Sequence, residues 1–187
     1  LVGGRRDVPT NLCVRVHCHA AVNGDRWELV GHEAGRLVGA VAIDGELIAT
    51  QPRPPADTYA HLLIGHDGSM TGTIEYPIPI EPEVEAGGIT LPVDVNRQPV
   101  DDRTSVITSR YNDHTRTPAG TVEYLFAVSG AAADGAALTP LERRTGSGLV
   151  PPGGAVVAAN GPVAIDRADA WWAEALASGQ ATFRPGL

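Results

Sequence analysis

Apolar and polar residues alternate with period two along much of the first eighty positions, the pattern of half-buried strands. From Asn11 to Val22, Leu12, Val14, Val16, Cys18, Ala20 and Val22 share one face, and Cys13, Arg15, His17 and His19 the other. Asn23-Gly24 predicts a hairpin, because both residues tolerate positive φ. Asp25–Glu33 reads as the next strand, Ala34-Gly35 as a turn, and Arg36–Ile43 as a strand apolar on both faces. Asp44-Gly45 predicts a second hairpin into Glu46–Thr50. After the proline-rich loop Gln51–Asp57, Thr58–Gly65 reads as a strand with a helical alternative, and Asp67-Gly68 turns into Ser69–Tyr76. Connections this short forbid parallel crossovers, so the pattern is an antiparallel meander.

The second half is less regular. Pro77–Pro99 carries five prolines and reads as an edge strand at best, otherwise a long excursion. Thr104–Tyr111 resumes strand character, Asn112–Gly120 reads as loop with a turn at Asn112-Asp113-His114, and Thr121–Val128 places Val122, Tyr124, Phe126 and Val128 on one face. Ser129–Leu138 is small and flexible in composition. Thr139-Pro140-Leu141-Glu142 has the form of a capping box and predicts a very short helix. Ala155–Ala159 predicts a strand. A helix follows over Arg167–Ser178, capped by Asp166 and closed by Gly179, with Ala168, Trp171, Trp172, Ala175 and Leu176 on one stripe. That stripe needs a large apolar receiving surface, either an open end or the outer wall of a barrel. The expected fold is mainly β: one domain over residues 1–187, an antiparallel meander closing into a barrel or strongly curved sheet, with one C-terminal helix packed on it. Residues 77–102 form the Pro-rich acidic excursion and 166–179 the helix.

Composition narrows the chemistry. All 14 basic residues are Arg; the absence of Lys excludes a Schiff-base nucleophile and the P-loop and kinase lysines. The net charge of −8 and the lack of a basic run disfavour nucleic-acid binding. Seven acids lie between Glu75 and Asp102 against one base, Arg97, and read as a solvated loop face. A calcium loop is the sharper reading of that stretch, but its D-x-[DN]-x-[DN]-G pattern is absent. No run of about 18 apolar residues predicts a membrane span. Cys13 and Cys18 fall on opposite faces of one strand, too far apart to pair, which predicts two free thiols and a reducing, cytoplasmic setting. Asp67–Glu75 resembles one hairpin of the avidin-type biotin-binding barrels over fewer than ten residues; no ligand-contacting position of that family has a counterpart elsewhere in the chain.

The candidate site is Arg15, His17 and His19, three polar side chains on one strand face, with Glu28 on the adjacent strand placed to orient an imidazole. Arg15 would stabilise oxyanion charge, and His17 or His19 would move protons. An Arg beside two His repels a dication, so the expected metal content is none, and with no dinucleotide fingerprint or phosphate loop the expected cofactor is none. The reading that follows is a small-molecule pocket in a β-barrel: a cofactor-independent cyclase, isomerase or lyase acting on a small hydrophobic or carboxylate-bearing molecule, without nucleic acid or membrane, and compatible with a homo-oligomer. The alternative is a non-enzymatic β domain, a ligand carrier or assembly module.

Overall fold

A computed structural model describes residues 41–43, 46–50, 61–62, 74–75, 81–110, 112–130 and 135–186. Two short antiparallel pairs fall in the first half: β1 (Val41–Ile43) with β2 (Glu46–Ala49), and β3 (His61–Leu62) with β4 (Ile74–Glu75). Both agree with the hairpins predicted around Asp44-Gly45 and Asp67-Gly68. The large sheet comprises β5 (Glu83–Ala86), β6 (Ile89–Pro92), β7 (Asp94–Val95), β8 (Arg103–Thr108), β9 (Val122–Ser129), β10 (Ala136–Thr145), β11 (Gly154–Asn160) and β12 (Ala181–Arg184). Its order is β6-β5-β12-β10-β9-β11-β8-β7, with every pair antiparallel except β7–β8.

This order forces closure. Eight strands about 4.8 Å apart would span roughly 34 Å if the sheet were flat. The two edge strands, however, are separated by the single residue Val93. Two Cα steps reach at most about 7.6 Å. The sheet therefore curls until its edges meet, and Leu91, Val93 and Val95 carry one continuous run across the seam, all buried. Val93 N–H donates to the Pro82 carbonyl at 2.9 Å on one side of the crossing. On the other side Thr50 lies along β7, donating its N–H to the Val95 carbonyl at 3.1 Å and accepting Val95 N–H on Oγ1 at 2.9 Å.

Three expectations are corrected. The stretch Pro77–Pro99 is not an excursion, since it carries β5, β6 and β7. Its prolines fall where a ladder tolerates them: Pro82 before β5, Pro92 on the edge strand β6 and Pro99 after β7. Gly87-Gly88, both at positive φ, make the two-residue hairpin between β5 and β6, and a Cβ on Gly87 would overlap Glu174. The acids there are not one loop face either. Glu83 and Glu85 stand on β5 and receive the Arg184 guanidinium of β12 at 3.1 and 2.6 Å, while Asp94 is buried.

The second correction is Thr139–Glu142, which is strand rather than helix. Eight residues of β10 pair with β9, and that ladder outweighs a local capping box. Pro140 sits at the register shift, and Leu141 bulges out, 56% exposed. The same strand reaches back to Ala136, into the stretch read as flexible.

The third concerns the helix. α1 spans Pro162–Ser178, with Gly161 at its N-cap and Pro162 in its first turn, so Asp166 lies inside it. The cap comes from a distant turn: Asp102 Oδ1 accepts Val163 N–H at 3.0 Å. Gly161, at φ 91, allows this approach, because a Cβ there would overlap Asp102. The predicted close is correct, with Gly179 left-handed at φ 75. The apolar stripe is Ala164, Ala168, Trp171, Trp172 and Ala175, whereas Leu176 faces solvent.

α1 touches β5, β6, β8, β10 and β11, strands from both sides of the seam, so it lies against the inner face of the curl and not its outer wall. Both Trp residues are buried there against Tyr124 and Phe126 of β9. The opposite faces of β8, β9 and β11 bury a second cluster, Ile107, Leu125, Val156 and Ala158, together with Val150.

One polar clamp ties α1 to the sheet. Asp169 accepts Arg143 Nε at 2.7 Å and the Tyr124 hydroxyl at 2.8 Å on Oδ1, and a second Arg143 nitrogen at 3.0 Å on Oδ2. The hydrogen bonds from Arg143 hold the Asp169 carboxyl below its usual range, while burial and the bond to Asp169 push the Tyr124 hydroxyl up. Arg143 and Asp169 are 40% and 41% exposed, so the pair contributes under about 1 kcal/mol. Because the folded carboxyl titrates below the unfolded one, the contribution is present above the ordinary aspartate range and is lost as pH falls through the folded value. Asp169→Asn should therefore melt slightly lower than wild type at neutral pH, with the gap closing as pH falls below the ordinary aspartate range. A gap that is unchanged in acid would remove the clamp's ionic part.

Candidate functional site at the barrel seam

Where the sheet edges meet the start of α1, the surface opens into a cleft of about 320 Å³. Three segments build it. The β6–β7 run gives Leu91, Pro92, Val93 and Asp94, the start of β8 with its preceding turn gives Asp102, Arg103 and Thr104, and α1 gives Val163, Ala164 and Arg167. Each is placed by a feature already described: the seam crossing at Val93, the left-handed turn at Asp102 (φ 55) and the helix start at Gly161.

Half of its lining is apolar, from Leu91, Pro92, Val93, Val163 and Ala164, and half is polar, and its volume is at the lower end of the range for small-ligand sites. Its charged lining is two carboxylates, Asp94 and Asp102, and two guanidinia, Arg103 and Arg167. Asp94 is 6% exposed, and its Oδ2 lies 3.9 Å from an Arg103 nitrogen, too long for a strong bond. Asp102 is committed to the helix cap. Arg167 makes no ion pair among the described residues and is exposed on the rim. Ala164 follows the capped Val163 in the first turn, where a backbone N–H has no intrahelical acceptor.

Arg15, His17, His19 and Glu28 lie outside the described residues, as do Cys13 and Cys18. The seam residues were invisible to sequence reasoning because they come from positions 91–94, 102–104 and 163–167, with no motif spacing between them. Among the described residues no three His, Cys, Asp or Glu side chains converge as metal ligands, and no helix is long and apolar enough to cross a membrane. No protein-family model, curated protein or solved structure matches the chain.

Proposed function

We propose that the protein binds a small carboxylate-bearing molecule in the seam cleft and acts on it without a cofactor, by proton transfer to Asp94. The observation that supports this reading is a nearly buried carboxylate, Asp94, lining one small cleft together with the guanidinia of Arg103 and Arg167. Arg103 and Arg167 would hold the ligand carboxylate, and Arg103 would also meet the enolate oxygen charge that develops when the adjacent carbon loses its proton. Asp94 would accept a proton from that carbon, which is the first step of isomerase, cyclase or lyase chemistry.

The second reading is a non-enzymatic carrier. It is favoured by the filling of the barrel interior with Trp171, Trp172, Tyr124 and Phe126, which leaves the ligand in an open cleft and not an enclosed cavity. One experiment separates the two. A panel of small hydroxy- and keto-carboxylates is screened by ligand-observed NMR in D2O with the full chain. The catalytic reading expects binding together with deuterium uptake at the carbon next to the carboxylate, and Asp94→Asn should bind while losing the uptake. Binding without uptake identifies the carrier, and no binding by any member overturns the proposal.

A further inference from the structure

Two loops beside the second core cluster hold a serine hydroxyl against an imidazole. Thr115 N–H donates to the Gly148 carbonyl and Val150 N–H to the Asp113 carbonyl, each at 2.9 Å, with His114 and Leu149 bridged between them. Thr115 Oγ1 pins the same crossing by accepting Gly148 N–H at 3.1 Å. Across it, Ser147 Oγ lies 3.1 Å from His114 Nδ1. Asn112 Oδ1 accepts His114 N–H at 3.3 Å, which is the turn read from Asn112-Asp113-His114. Arg116, left-handed at φ 53, turns its own N–H back onto His114 Nδ1 at 3.3 Å.

That last contact favours one tautomer. A backbone N–H only donates, so Nδ1 meets it with a lone pair and the ring proton sits on Nε2. The Ser147 hydroxyl, with Thr115 Oγ1 at 3.3 Å as its other acceptor, is the donor when it bonds Nδ1 at 3.1 Å. A nucleophile and an unprotonated base thus stand at hydrogen-bonding distance, with Ser147 open to solvent and His114 half-buried. Two backbone bonds hold the loops together, and the Ser147 hydroxyl also lies 3.3 Å from Thr115 Oγ1.

We infer that Ser147 is an activated nucleophile, with His114 as its general base, that takes acyl groups from activated esters. Ser147 Oγ bonds to the ester carbonyl carbon while its proton passes to His114 Nδ1. Collapse of the tetrahedral adduct breaks the bond to the leaving alcohol, which takes that proton.

The probe is p-nitrophenyl acetate on the full chain, followed by nitrophenolate release, intact mass and peptide mapping. The chain has no Lys, so the commonest competing acyl acceptor is missing. The expected result is one acetyl group per chain, mapped to Ser147 and absent in Ser147→Ala. His114→Asn keeps an acceptor for the Arg116 N–H but takes no proton, and should slow acylation about 100-fold. His114→Gln is a second base-free variant, and thermal melting confirms that each is folded. No adduct on wild-type Ser147, or equally fast acylation in the folded His114 variants, overturns the inference.

Discussion

Replacing Trp171 by Ala should cost about 3–5 kcal/mol, the range for deleting a large core aromatic. Trp171 is 0% exposed and its ring centre lies 5.4 Å from Phe126 and 6.4 Å from Tyr124. It is the point at which the helix grips the inside of the curled sheet, so its loss opens a cavity that the strands cannot close without flattening. The urea midpoint should fall by about 1 M or more, on an m-value of up to about 3 kcal/mol/M. Leu176→Ala, at a position 55% exposed on the same helix, should move stability by less than about 0.5 kcal/mol. Trp171→Phe should cost less than the alanine variant, because the buried indole N–H has no hydrogen-bond partner among the described residues and its removal ends that penalty. Equal midpoints for Trp171→Ala and wild type would mean that α1 is an appendage.

A second large effect is expected on the opposite face of β9. Glu123 is 0% exposed; its Oε1 accepts the Thr117 hydroxyl at 2.7 Å and its Oε2 accepts Arg144 Nε at 2.8 Å. Arg144 also donates to the Leu149 carbonyl at 3.0 Å, joining the buried carboxylate to the loop that closes the second core cluster. Arg144→Met strands a buried charge with one hydroxyl for company, and should cost about 3–5 kcal/mol. Removing both charges in Glu123→Met/Arg144→Met should restore most of that loss, since the desolvation penalty goes with the pair. Denaturant titration of the three proteins measures the difference. If the single variant loses less than about 1 kcal/mol, the carboxylate finds water or another donor.

How much of this was legible depended on how far apart the determining residues lie. β9 was read correctly because its period-two face, Val122, Tyr124, Phe126 and Val128, is written into the strand itself. The helix end was legible for the same reason, since Gly179 closes it locally. The helix start was not, because its cap is Asp102, 61 residues upstream of Val163. The Thr139–Glu142 capping box was a true local signal overruled by pairing with β9, which no local window contains. β5 to β7 were hidden by their prolines, although Val84 and Ala86, then Leu91, Val93 and Val95, alternate inward. The seam cleft inherits this difficulty, because it exists only once the sheet has closed.

The proposed ligand site is the seam cleft, and the sequence offers Arg15, His17 and His19, which lie outside the described residues, as the other candidate. Isothermal titration with the best-bound carboxylate of the panel, on wild type, Arg167→Gln and Arg15→Gln, decides between them. A charge-assisted bond of about 1.5–3 kcal/mol corresponds to a loss of roughly 10- to 100-fold in affinity. The seam account predicts that loss for Arg167→Gln and wild-type affinity for Arg15→Gln. Full affinity in Arg167→Gln with the loss appearing in Arg15→Gln would contradict it.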